Sequence, residues 1–413
     1  MKQVVVVGAG VAGLTCALRL KEHGIESIVL EAGDAVGGRI RTDEVEGFKL
    51  DRGFQVMLSA YPACQRYLDY AALNLTAFDP GAVVHTSGGW QRVVDPRRRW
   101  TEAWPTLRSD VGTFADKLRV LKWALAARKS PVEFPDAGEE QSSLAYLRQR
   151  GFSERMIQRF WRPWLSGIFL EPELETSQRM ADFVFGMFAR GDAVIPREGM
   201  QAIPVQLASK LPPESVRLGQ AVAALEPGAV ILADGARIAG GAIVLAVDGS
   251  TAYQLGAINT PPQWRESRCI YYAAPKPPFA DALLRLNGES TGVVNHLAAL
   301  DQVNPSYAPA GQSLIMAGIR PGDLREDAAI EGEAQTQLRF WFGDQVDSWR
   351  VLRHDRVKRA LPARGPLNPQ SAEVKHSRVF RCGDFLRHPS LQGAMESGEV
   401  AADAVTERFE REG

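Results

Sequence analysis

The chain has 413 residues, of which 45% are hydrophobic and 23% charged, and its formal net charge is −1. This length exceeds the ~250 to 300 residues at which single hydrophobic cores stop growing, so two domains are expected. The near-neutral balance provides no bulk basic field and argues against nucleic-acid binding. The four cysteines have neither CxxC nor zinc-ligand spacing, and the six histidines show no ligand spacing, so the sequence predicts a cytoplasmic protein without a metal site.

The first predicted element is a buried parallel strand at Val4–Val7, followed by a glycine-rich turn and a helix. The turn reads GAGVAG and fits the GxGxxG pattern of dinucleotide-binding proteins. Gly8 permits a tight turn, Gly10 lets the backbone approach a pyrophosphate, and Gly13 lets the helix pack closely on the strand. Ala12, in the same turn, is counted with them as a cofactor contact.

A second strand is predicted over residues 25–30, and it ends at Glu31, 18 residues after Gly13. An acid at this place accepts hydrogen bonds from a ribose in dinucleotide folds. The order of strand, turn, helix, strand and acid favours a dinucleotide, and the alternative is an α/β turn that binds no phosphate. FAD and NAD both contain an ADP half, so this segment leaves both cofactors open.

The segment AGDAVGGRIRT follows Glu31 directly. Gly37 and Gly38 allow a second close backbone approach, and Arg39 offers a fixed cationic fork that suits a phosphate. The alternative is a glycine loop with a solvated arginine. A second GxGxxG and a CxxC are both missing from the sequence, which argues against a flavoprotein of the disulfide reductase type.

Over residues 31–42, EAGDAVGGRIRT resembles the flavin amine oxidase, protoporphyrinogen oxidase and phytoene desaturase superfamily, in which an acid followed by GGR(x)xT belongs to the FAD site. The resemblance implies FAD as the cofactor. It also implies an α/β fold, with an FAD-binding Rossmann-like domain of the glutathione-reductase type around a parallel sheet and a second, α+β substrate domain. We expect residues 1–55, 195–250 and 370–413 to form the first domain, and residues 56–194 and 251–369 to form the second.

Residues 56–194 are predicted to be mainly helical and to hold six tryptophans: Trp90, Trp100, Trp104, Trp123, Trp161 and Trp164. Such aromatic richness is typical of a core, and it also suits an apolar substrate cavity, so both interpretations stay open. The basic triplet at 97–99 is interpreted as a solvated loop. Residues 215–247 alternate short β runs with turns and predict a small meander that returns to the main sheet. In the family, the segment before this meander passes the adenine, so Val222 becomes a candidate backbone contact or, alternatively, an edge-strand residue.

Residues 251–369 contain strand-like runs at 268–275 and Ser313–Ile319 and a helix-like stretch near 330–342. The run at 288–292 spells GxSxG, but it lies between two strand-like runs. A nucleophile elbow requires a strand, a turn and a helix, so this run is interpreted as a hairpin turn.

The chain ends with a strand at 379–382, the turn Gly383-Asp384 and a helix that begins near Gln392. Asp384 is expected to bond a ribityl hydroxyl. The first amides of the helix, at Gly393, Ala394 and Met395, would point at flavin N1 and the C2 carbonyl, where a helix start favours negative charge. The resemblance adds that this segment closes the FAD site.

Two departures from the amine oxidase branch concern the reacting centre. Many members have a lysine before an apolar-Tyr-Tyr run, where this chain has Arg268, and often an aromatic residue where it has Ser390. Both departures argue against amine oxidation and favour carbon–carbon dehydrogenation of an apolar, polyene-like or isoprenoid-like compound. Gln55, Arg268 and Tyr271 are the candidate catalytic residues, and His388 is either a flavin neighbour or a hydrogen-bonded loop histidine.

The alternatives left open are an amine or amino-acid oxidase that uses O2, and a flavin-binding protein with a structural or redox-neutral role. The expected partner is a small apolar substrate, and the electron acceptor stays open, with O2 and a quinone as candidates. Peripheral contact of an apolar patch with a membrane also stays open.

Overall fold

The computed structural model describes residues 3–129, 133–134, 140–363, 372–374 and 378–412. Its strands are β1 (Val4–Val7), β2 (Ser27–Leu30), β3 (Thr42–Val45), β4 (Phe48–Asp51), β5 (Met57–Leu58), β6 (Thr76–Ala77), β7 (Gly81–Thr86), β8 (Gly89–Val94), β9 (Ala193–Ile195), β10 (Val216–Arg217), β11 (Val222–Glu226), β12 (Ala229–Leu232), β13 (Arg237–Ala239), β14 (Ala242–Leu245), β15 (Trp264–Ala274), β16 (Leu284–Asn287), β17 (Val294–Ala299), β18 (Ser313–Ile319), β19 (Arg350–Pro362) and β20 (Val379–Arg381). Its helices are α1 (Val11–Glu22), α2 (Pro62–Tyr67), α3 (Ala103–Arg108), α4 (Phe114–Ala127), α5 (Ser143–Gln149), α6 (Glu154–Met156), α7 (Arg162–Phe169), α8 (Gln178–Arg190), α9 (Ala202–Ser209), α10 (Gly249–Gln254), α11 (Leu300–Val303), α12 (Asp327–Phe342) and α13 (Leu391–Glu412).

A five-stranded parallel sheet joins distant parts of the chain in the order β10-β2-β1-β14-β20. The four valines of β1 are buried, as expected for a central parallel strand that is covered on both faces. Helices α1 and α13 pack against each other so closely that a Cβ at Gly398 would lie 2.3 Å from the Ala12 carbonyl oxygen. The first and last segments of the chain therefore meet, and the predicted α/β fold is confirmed.

A seven-stranded mixed sheet has the order β19-β15-β18-β17-β16-β7-β8. Alternate residues of β15 face two cores: Ile270 and Tyr272 pack in the cluster that includes Leu338 of α12, whereas Tyr271 lies in the main core. The prediction of a mainly helical 56–194 region is incomplete, because the β7-β8 hairpin of this region joins the sheet. The signal that the prediction missed is the Gly88-Gly89 turn between two runs that each contain a pair of valines.

Two shorter predictions are confirmed. Strands β11, β12 and β13 form the expected antiparallel meander, and β14 then returns to the parallel sheet. Strands β16 and β17 pair antiparallel on either side of 288–292, so the GxSxG run is a connection between two strands rather than a nucleophile elbow. Across the described residues, no helix combines the length and the apolar character required to cross a membrane.

Candidate active site

A cavity of about 1360 Å³ connects the carboxyl ends of the parallel strands with the helical region between residues 100 and 190. One end, called here the cradle, is lined by the turn after β1, by Glu31, by residues 37–39 and by residues 383–394 of the last segment. The other end, called here the apolar lobe, is lined mainly by hydrophobic side chains, including Phe54, Phe78, Phe160, Ile168, Trp164, Val184, Phe185 and Phe188.

The glycine turn of the cradle has the shape that the sequence predicts. Gly8 has φ of +106°, and a Cβ at Gly13 would lie 2.0 Å from the Gly8 carbonyl oxygen, so a side chain at Gly13 would push α1 off β1. Gly10 is the N-cap residue of α1, so no cap side chain accepts from the first amides of the helix. A Cβ at Gly10 would meet open space. The first amides of α1 are therefore presented to the cavity at Gly10 and Ala12, as an anion site requires.

Glu31 follows β2 and lines the cavity. Its Oε2 accepts a hydrogen bond from the Ala9 amide and its Oε1 accepts one from the Gly33 amide, both at 2.8 Å. The two amides fix the carboxylate in one orientation. The remaining lone pairs of its oxygens are available to hydroxyl donors of a ligand.

Residues 37–39 lie against the glycine turn. The Gly37 amide donates to the Ala9 carbonyl at 2.9 Å, and Gly37 and Gly38 both have positive φ. A Cβ at Gly38 would lie 3.5 Å from the Gly10 Cα. The two glycine-rich segments therefore form one continuous wall of backbone along the cradle.

Arg39 and Asp384 form an ion pair that joins the two ends of the chain. Arg39 Nη2 lies 2.6 Å from Asp384 Oδ1 and Nη1 lies 2.9 Å from Oδ2, so the pair is bidentate. Burial acts to lower the pKa of Arg39, but the charge and hydrogen bonds of Asp384 together with the charge of Asp248 outweigh it, so the pKa lies above its ordinary value. The sequence assigned the two residues to separate ligand groups, whereas in the structure they line the cavity as a pair.

The start of α13 faces the cradle. Helix α13 begins at Leu391, one residue before the predicted start, and Ala394 lines the cavity after the glycine turn at Gly383. The Gly393 amide donates to Ser390 Oγ and the Ala394 amide to the Ser390 carbonyl, both at 3.0 Å. Ser390 therefore caps the helix and accepts from two of the amides that are expected from the sequence to point at the flavin. The side chain of Met395 is fully buried and does not line the cavity.

Val222 is not part of the cavity wall. It lies half-buried on β11, at the edge of the meander, and packs against the core on the far side of the parallel sheet. Gly219 and Gln220, which come shortly before Val222, lie closer to the cradle. The Gln220 amide donates to the Glu31 carbonyl at 2.7 Å, and the Gly219 amide donates to the Gly33 carbonyl at 3.0 Å.

The structure separates the three predicted catalytic residues. Gln55 lines the cavity, and its Nε2 donates to the Arg39 carbonyl at 3.0 Å. Arg268 also lines the cavity, but its guanidinium is held by the carbonyls of 323 and 325 and by Asp327 at 2.9 Å. Tyr271 does not reach the cavity, because β15 turns it into the main core, where its hydroxyl donates to the Asp51 carbonyl.

Asp51 is a buried carboxyl group near the cradle. It accepts hydrogen bonds from Thr42 Oγ1 at 2.5 Å, from the Met200 amide at 2.9 Å and from the Tyr307 hydroxyl at 3.1 Å. Burial raises the pKa of Asp51 to about 6, although these hydrogen bonds oppose the shift.

The tryptophans divide between core and cavity. Trp123 and Trp161 are buried, Trp164 lines the apolar lobe, and Trp104 is 60% exposed. The side chain of Trp100 lies outside what the structure describes. Residues 97–99 lie at a turn on the surface with partly exposed arginines, and Asp95, Asp192 and Asp79 each pair with one of them.

Two histidines differ in their relation to the cavity. His388 is buried, stacks on Phe134 at 4.4 Å between ring centroids and lies 3.0 Å from Ser390 Oγ, so it is a packed loop residue outside the cavity wall. His296 lines the cavity, and its Nε2 has no hydrogen-bond partner among the described residues. Burial lowers the pKa of His296 to about 4, so the ring is neutral at physiological pH. Sequence reasoning missed His296, because its neighbours are distant in the chain.

The cradle fits an extended dinucleotide. A helix start without a side-chain cap, a fixed carboxylate and two glycine segments that exclude side chains line the same cavity as the apolar lobe. The residues present therefore suit FAD, which needs an anion site for its pyrophosphate and a dry space at its ring system.

Comparisons with known proteins agree with this geometry. The family model described as flavin containing amine oxidoreductase matches residues 11–406. The chain is 28% identical over 172 residues to coproporphyrinogen III oxidase of Propionibacterium freudenreichii, a match that covers 40% of this chain and 31% of that protein. It is 24% identical over 433 residues to hydroxysqualene dehydroxylase of Sinorhizobium fredii, with 97% and 98% covered.

A third relative is protoporphyrinogen oxidase 2 of Arabidopsis thaliana, 29% identical over 40% of this chain and 32% of that protein. The chain thus spans about a third of the length of the two porphyrinogen oxidases that it matches. Among solved structures, a putative protoporphyrinogen oxidase from Exiguobacterium sp. 255-15 has a TM-score of 0.74 at 17% identity, covering 98% of this chain and 99% of that one. Wild-type putrescine oxidase bound to putrescine has a TM-score of 0.72 at 18% identity, with 98% and 99% covered.

These structural matches show the fold, and the family model covers nearly the whole chain. The chain belongs to the flavin containing amine oxidoreductase family.

Proposed function

We propose that the protein dehydrogenates a carbon–carbon bond of an apolar, polyene-like or isoprenoid-like compound. FAD supplies the hydride acceptor for such a reaction, and the substrate loses a hydride and a proton as the new double bond forms. In this proposal residues 1–55, 195–250 and 370–413 bind the cofactor, and residues 56–194 and 251–369 enclose the substrate.

The main support for this proposal is the hydrophobic lining of the apolar lobe. Aromatic rings line it in contact with one another: Trp164 lies 5.1 Å from Phe188, and Phe54 lies 6.1 Å from Phe78, between ring centroids. An apolar molecule in this lobe is removed from water and held by its shape next to the cradle, which excludes water from the reacting bond.

The carboxylates of the cavity wall favour an apolar substrate over a cationic amine. Each one in the described part of the wall already accepts a hydrogen bond or an ion pair from the protein: Glu31, Asp79, Asp95, Asp192, Asp248, Glu266, Asp323 and Asp384. A protonated amine would have to share one of these carboxylates with the partner that it already has.

Within the cradle, the proposed cofactor contacts are the amides that follow Gly10, the Glu31 carboxylate and the Arg39–Asp384 pair. We assign Gln55 a positioning role, because its amide fixes the Arg39 carbonyl at the boundary between cradle and lobe. Arg268 is assigned to the wall of the cavity, where Asp327 and two carbonyls hold its charge.

The test is anaerobic mixing of the FAD-loaded protein with a panel of polyenes, isoprenoids and amines. We expect flavin absorbance to bleach with an isoprenoid, and the product to be lighter by two hydrogen atoms in mass analysis. Re-oxidation with O2 or with a quinone then identifies the acceptor. Bleaching by amines alone, with hydrogen peroxide on admission of air, would instead establish an amine oxidase, and no bleaching at all would favour a redox-neutral role.

We further propose that helices α3 and α4 rest on an anionic membrane surface. Their exposed large hydrophobic side chains are Trp104, Leu107, Phe114, Leu118 and Leu125, with exposed fractions of 41% to 62%. Leu107, Lys117 and Leu118 also line the cavity, so its mouth opens within this patch. Residues 97–129 contain nine Lys and Arg but three Asp and Glu, in a chain whose net charge is −1. An apolar patch within a basic segment suits anionic lipid headgroups.

Sedimentation with vesicles tests this contact. We expect the wild type to pellet with vesicles of phosphatidylglycerol and phosphatidylcholine, and Phe114→Glu with Leu125→Glu to stay in solution. The control is Phe340→Glu, since Phe340 is 79% exposed outside the patch. Equal pelleting of all three proteins would contradict the assigned surface.

A further inference from the structure

Ser390, which caps α13 at the cavity wall, has a buried histidine as a further polar neighbour. Its Oγ lies 3.0 Å from His388 Nδ1, and His388 Nε2 lies 3.6 Å from Glu396 Oε2. We propose that His388 takes up a proton when bound FAD is reduced, so that the Ser390 hydroxyl turns into the cavity and donates to the reduced ring. This inference rests on the proposed function, because it treats FAD as the hydride acceptor and places its ring at the start of α13.

The partners of His388 determine the tautomer of its neutral ring. A carboxylate oxygen can only accept a hydrogen bond, so Glu396 requires the proton on Nε2 and leaves Nδ1 as an acceptor. Ser390 Oγ therefore donates its hydrogen to Nδ1, while it accepts the amide hydrogen of Gly393 at 3.0 Å. In this state the Ser390 hydroxyl is directed at the histidine and away from the cavity.

A proton on Nδ1 reverses this hydrogen bond. Nδ1 of an imidazolium can only donate, so Ser390 Oγ then accepts from Nδ1 and from the Gly393 amide, and its own hydrogen needs another acceptor. Ser390 is half-buried, lines the cavity and interacts with the phenol of Tyr61, another residue of the wall. A negatively charged ring in the cavity supplies the acceptor, and such charge-assisted hydrogen bonds are roughly twice as strong as neutral ones.

Glu396 stabilises the added proton from the opposite side of the ring. Burial acts to raise the pKa of Glu396, but the hydrogen bonds and charges of His388 and Arg387 outweigh it, so the pKa lies below its ordinary value. Arg387 contacts Oε1, whereas Oε2 lies toward His388. The imidazolium therefore has a carboxylate near one nitrogen and a hydroxyl near the other, which favours its charged form.

The other neighbours hold the ring in place. His388 is 1% exposed, stacks on Phe134 at 4.4 Å and meets Phe183 edge-on at 4.8 Å, between ring centroids. The further titratable or charged groups around it are Tyr61, through the capping serine, and Arg179, whose guanidinium lies 5.9 Å from the Phe134 ring. A ring packed in this way stays outside the cavity, so its proton acts on the cofactor only through the serine.

The proposed step balances in atoms and in charge. Dehydrogenation passes a hydride to FAD and sets one proton free, and the uptake of a proton by His388 offsets the negative charge that the hydride brings. When an acceptor removes the two electrons, the proton returns to solvent. No further oxidant or reductant is required.

Matched variants separate the proton on His388 from the packing of its ring. His388→Phe keeps a ring between the two aromatic neighbours but has no proton site. Ser390→Ala removes the hydroxyl, whereas Ser390→Thr keeps both a hydroxyl and a helix cap. The control is His354→Phe, because His354 Nε2 also pairs with a glutamate, Glu331 at 2.7 Å, but lies outside the cavity wall.

The measurement is the midpoint potential of bound FAD, obtained by photoreduction with deazaflavin and EDTA against a reference dye between about pH 6.5 and 8. A two-electron potential falls by about 30 mV per pH unit for each proton taken up with the electrons. We expect about 60 mV per pH unit for the wild type, Ser390→Thr and His354→Phe, because the ring and His388 take up one proton each. The slope should be about 30 mV for His388→Phe and closer to this value for Ser390→Ala.

Nitrogen NMR of His388 in the FAD-loaded wild type provides a readout that no variant can disturb. The ring should carry one proton, on Nε2, with oxidised FAD and protons on both nitrogens with reduced FAD. Should His388→Phe fail to fold, this measurement decides.

No organic substrate takes part in these measurements, so their outcome is separate from that of the substrate panel. Equal slopes for the wild type and His388→Phe, or a His388 ring that keeps one proton on reduction, would overturn this inference and leave the proposed function intact. A panel in which no compound bleaches the flavin would overturn the proposed dehydrogenation and leave the result on His388 standing.

Discussion

The cradle and the apolar lobe are parts of one cavity but are built from different materials. In the cradle, the wall contains glycine-rich backbone. Glycine is required at Gly13, for example, because a Cβ there would lie 2.0 Å from the Gly8 carbonyl oxygen. In the lobe, side chains such as Phe54, Trp164 and Phe188 form the wall. The difference teaches that cofactor binding should be sensitive to single atoms, whereas the lobe should tolerate changes in volume and respond in ligand preference.

The largest effect is expected from Gly13→Ala. The added methyl group meets backbone that cannot move without separating α1 from β1, so the variant should lose about 3 kcal/mol or more of unfolding free energy and its FAD. The control is Gly332→Ala in α12, where a Cβ has open space and alanine should stabilise by about 0.5 to 1 kcal/mol. Denaturant unfolding measures both, and similar values would contradict the packing assigned to Gly13.

Asp384→Asn tests the ion pair that joins the chain ends. Removing one charge leaves Arg39 without its partner, and a loss of about 2 to 3 kcal/mol is expected because Asp384 is buried while Arg39 is partly exposed. Asp34→Asn is the matched control, since Asp34 pairs with Arg41 at the exposed surface and the substitution should leave stability nearly unchanged. Equal effects in denaturant unfolding would show that the pair is not special to the cradle.

The raised pKa of Asp51 predicts that the unfolding free energy of the protein depends on pH. Its pKa of about 6 in the folded protein lies above the ordinary value of 3.8, so the folded state binds this proton more tightly than the unfolded state. The stability that protonation provides is complete below the ordinary value and is lost as pH rises through about 6. The unfolding free energy of wild type minus that of Asp51→Asn should therefore fall by about 3 kcal/mol from acid to neutral pH. Parallel pH profiles of the two proteins would contradict this.

Glu31→Gln should weaken FAD binding about tenfold, since glutamine can accept from only one of the two amides that hold the carboxylate. Titration of the cofactor-free protein with FAD measures the change, and Asp34→Asn again serves as the control. Unchanged FAD affinity would remove the proposed ribose contact.

The smallest effect is expected from Phe188→Ala in the lobe. FAD affinity should stay within about twofold, while binding of farnesene weakens about threefold to tenfold because an aromatic contact with Trp164 is lost. The control is Phe340→Ala, far outside the cavity wall and 79% exposed. A loss of FAD with unchanged farnesene binding would reverse the roles of the two regions.

The cradle could be predicted from sequence because its parts are local patterns. The turn from Gly8 to Gly13 lies between two neighbouring elements, and Glu31 directly follows the next strand. The pairing of Arg39 with Asp384 could not be predicted, since it depends on how closely α13 approaches α1. Likewise, the two faces of β15 decide that Tyr271 enters the core. These are properties of packing, which no local pattern contains.

The lobe was beyond sequence analysis for the same reason. Its wall comes from the loop at 54, from α7 and α8 and from the large sheet. The prediction could count aromatic residues but could not decide between core and cavity. The position of His296 in the wall could not be predicted, because it depends on contacts with Gly167 and Gly318, which are distant in the chain, as well as with Asn295.

The most direct measurement is the absorbance spectrum of the purified protein together with mass analysis of the molecule released on unfolding. We expect a yellow protein that releases one FAD per chain, and a Gly13→Ala protein that retains none. A correctly folded wild type that stays colourless when FAD is supplied would contradict the central claim that the two ends of the chain together hold this cofactor.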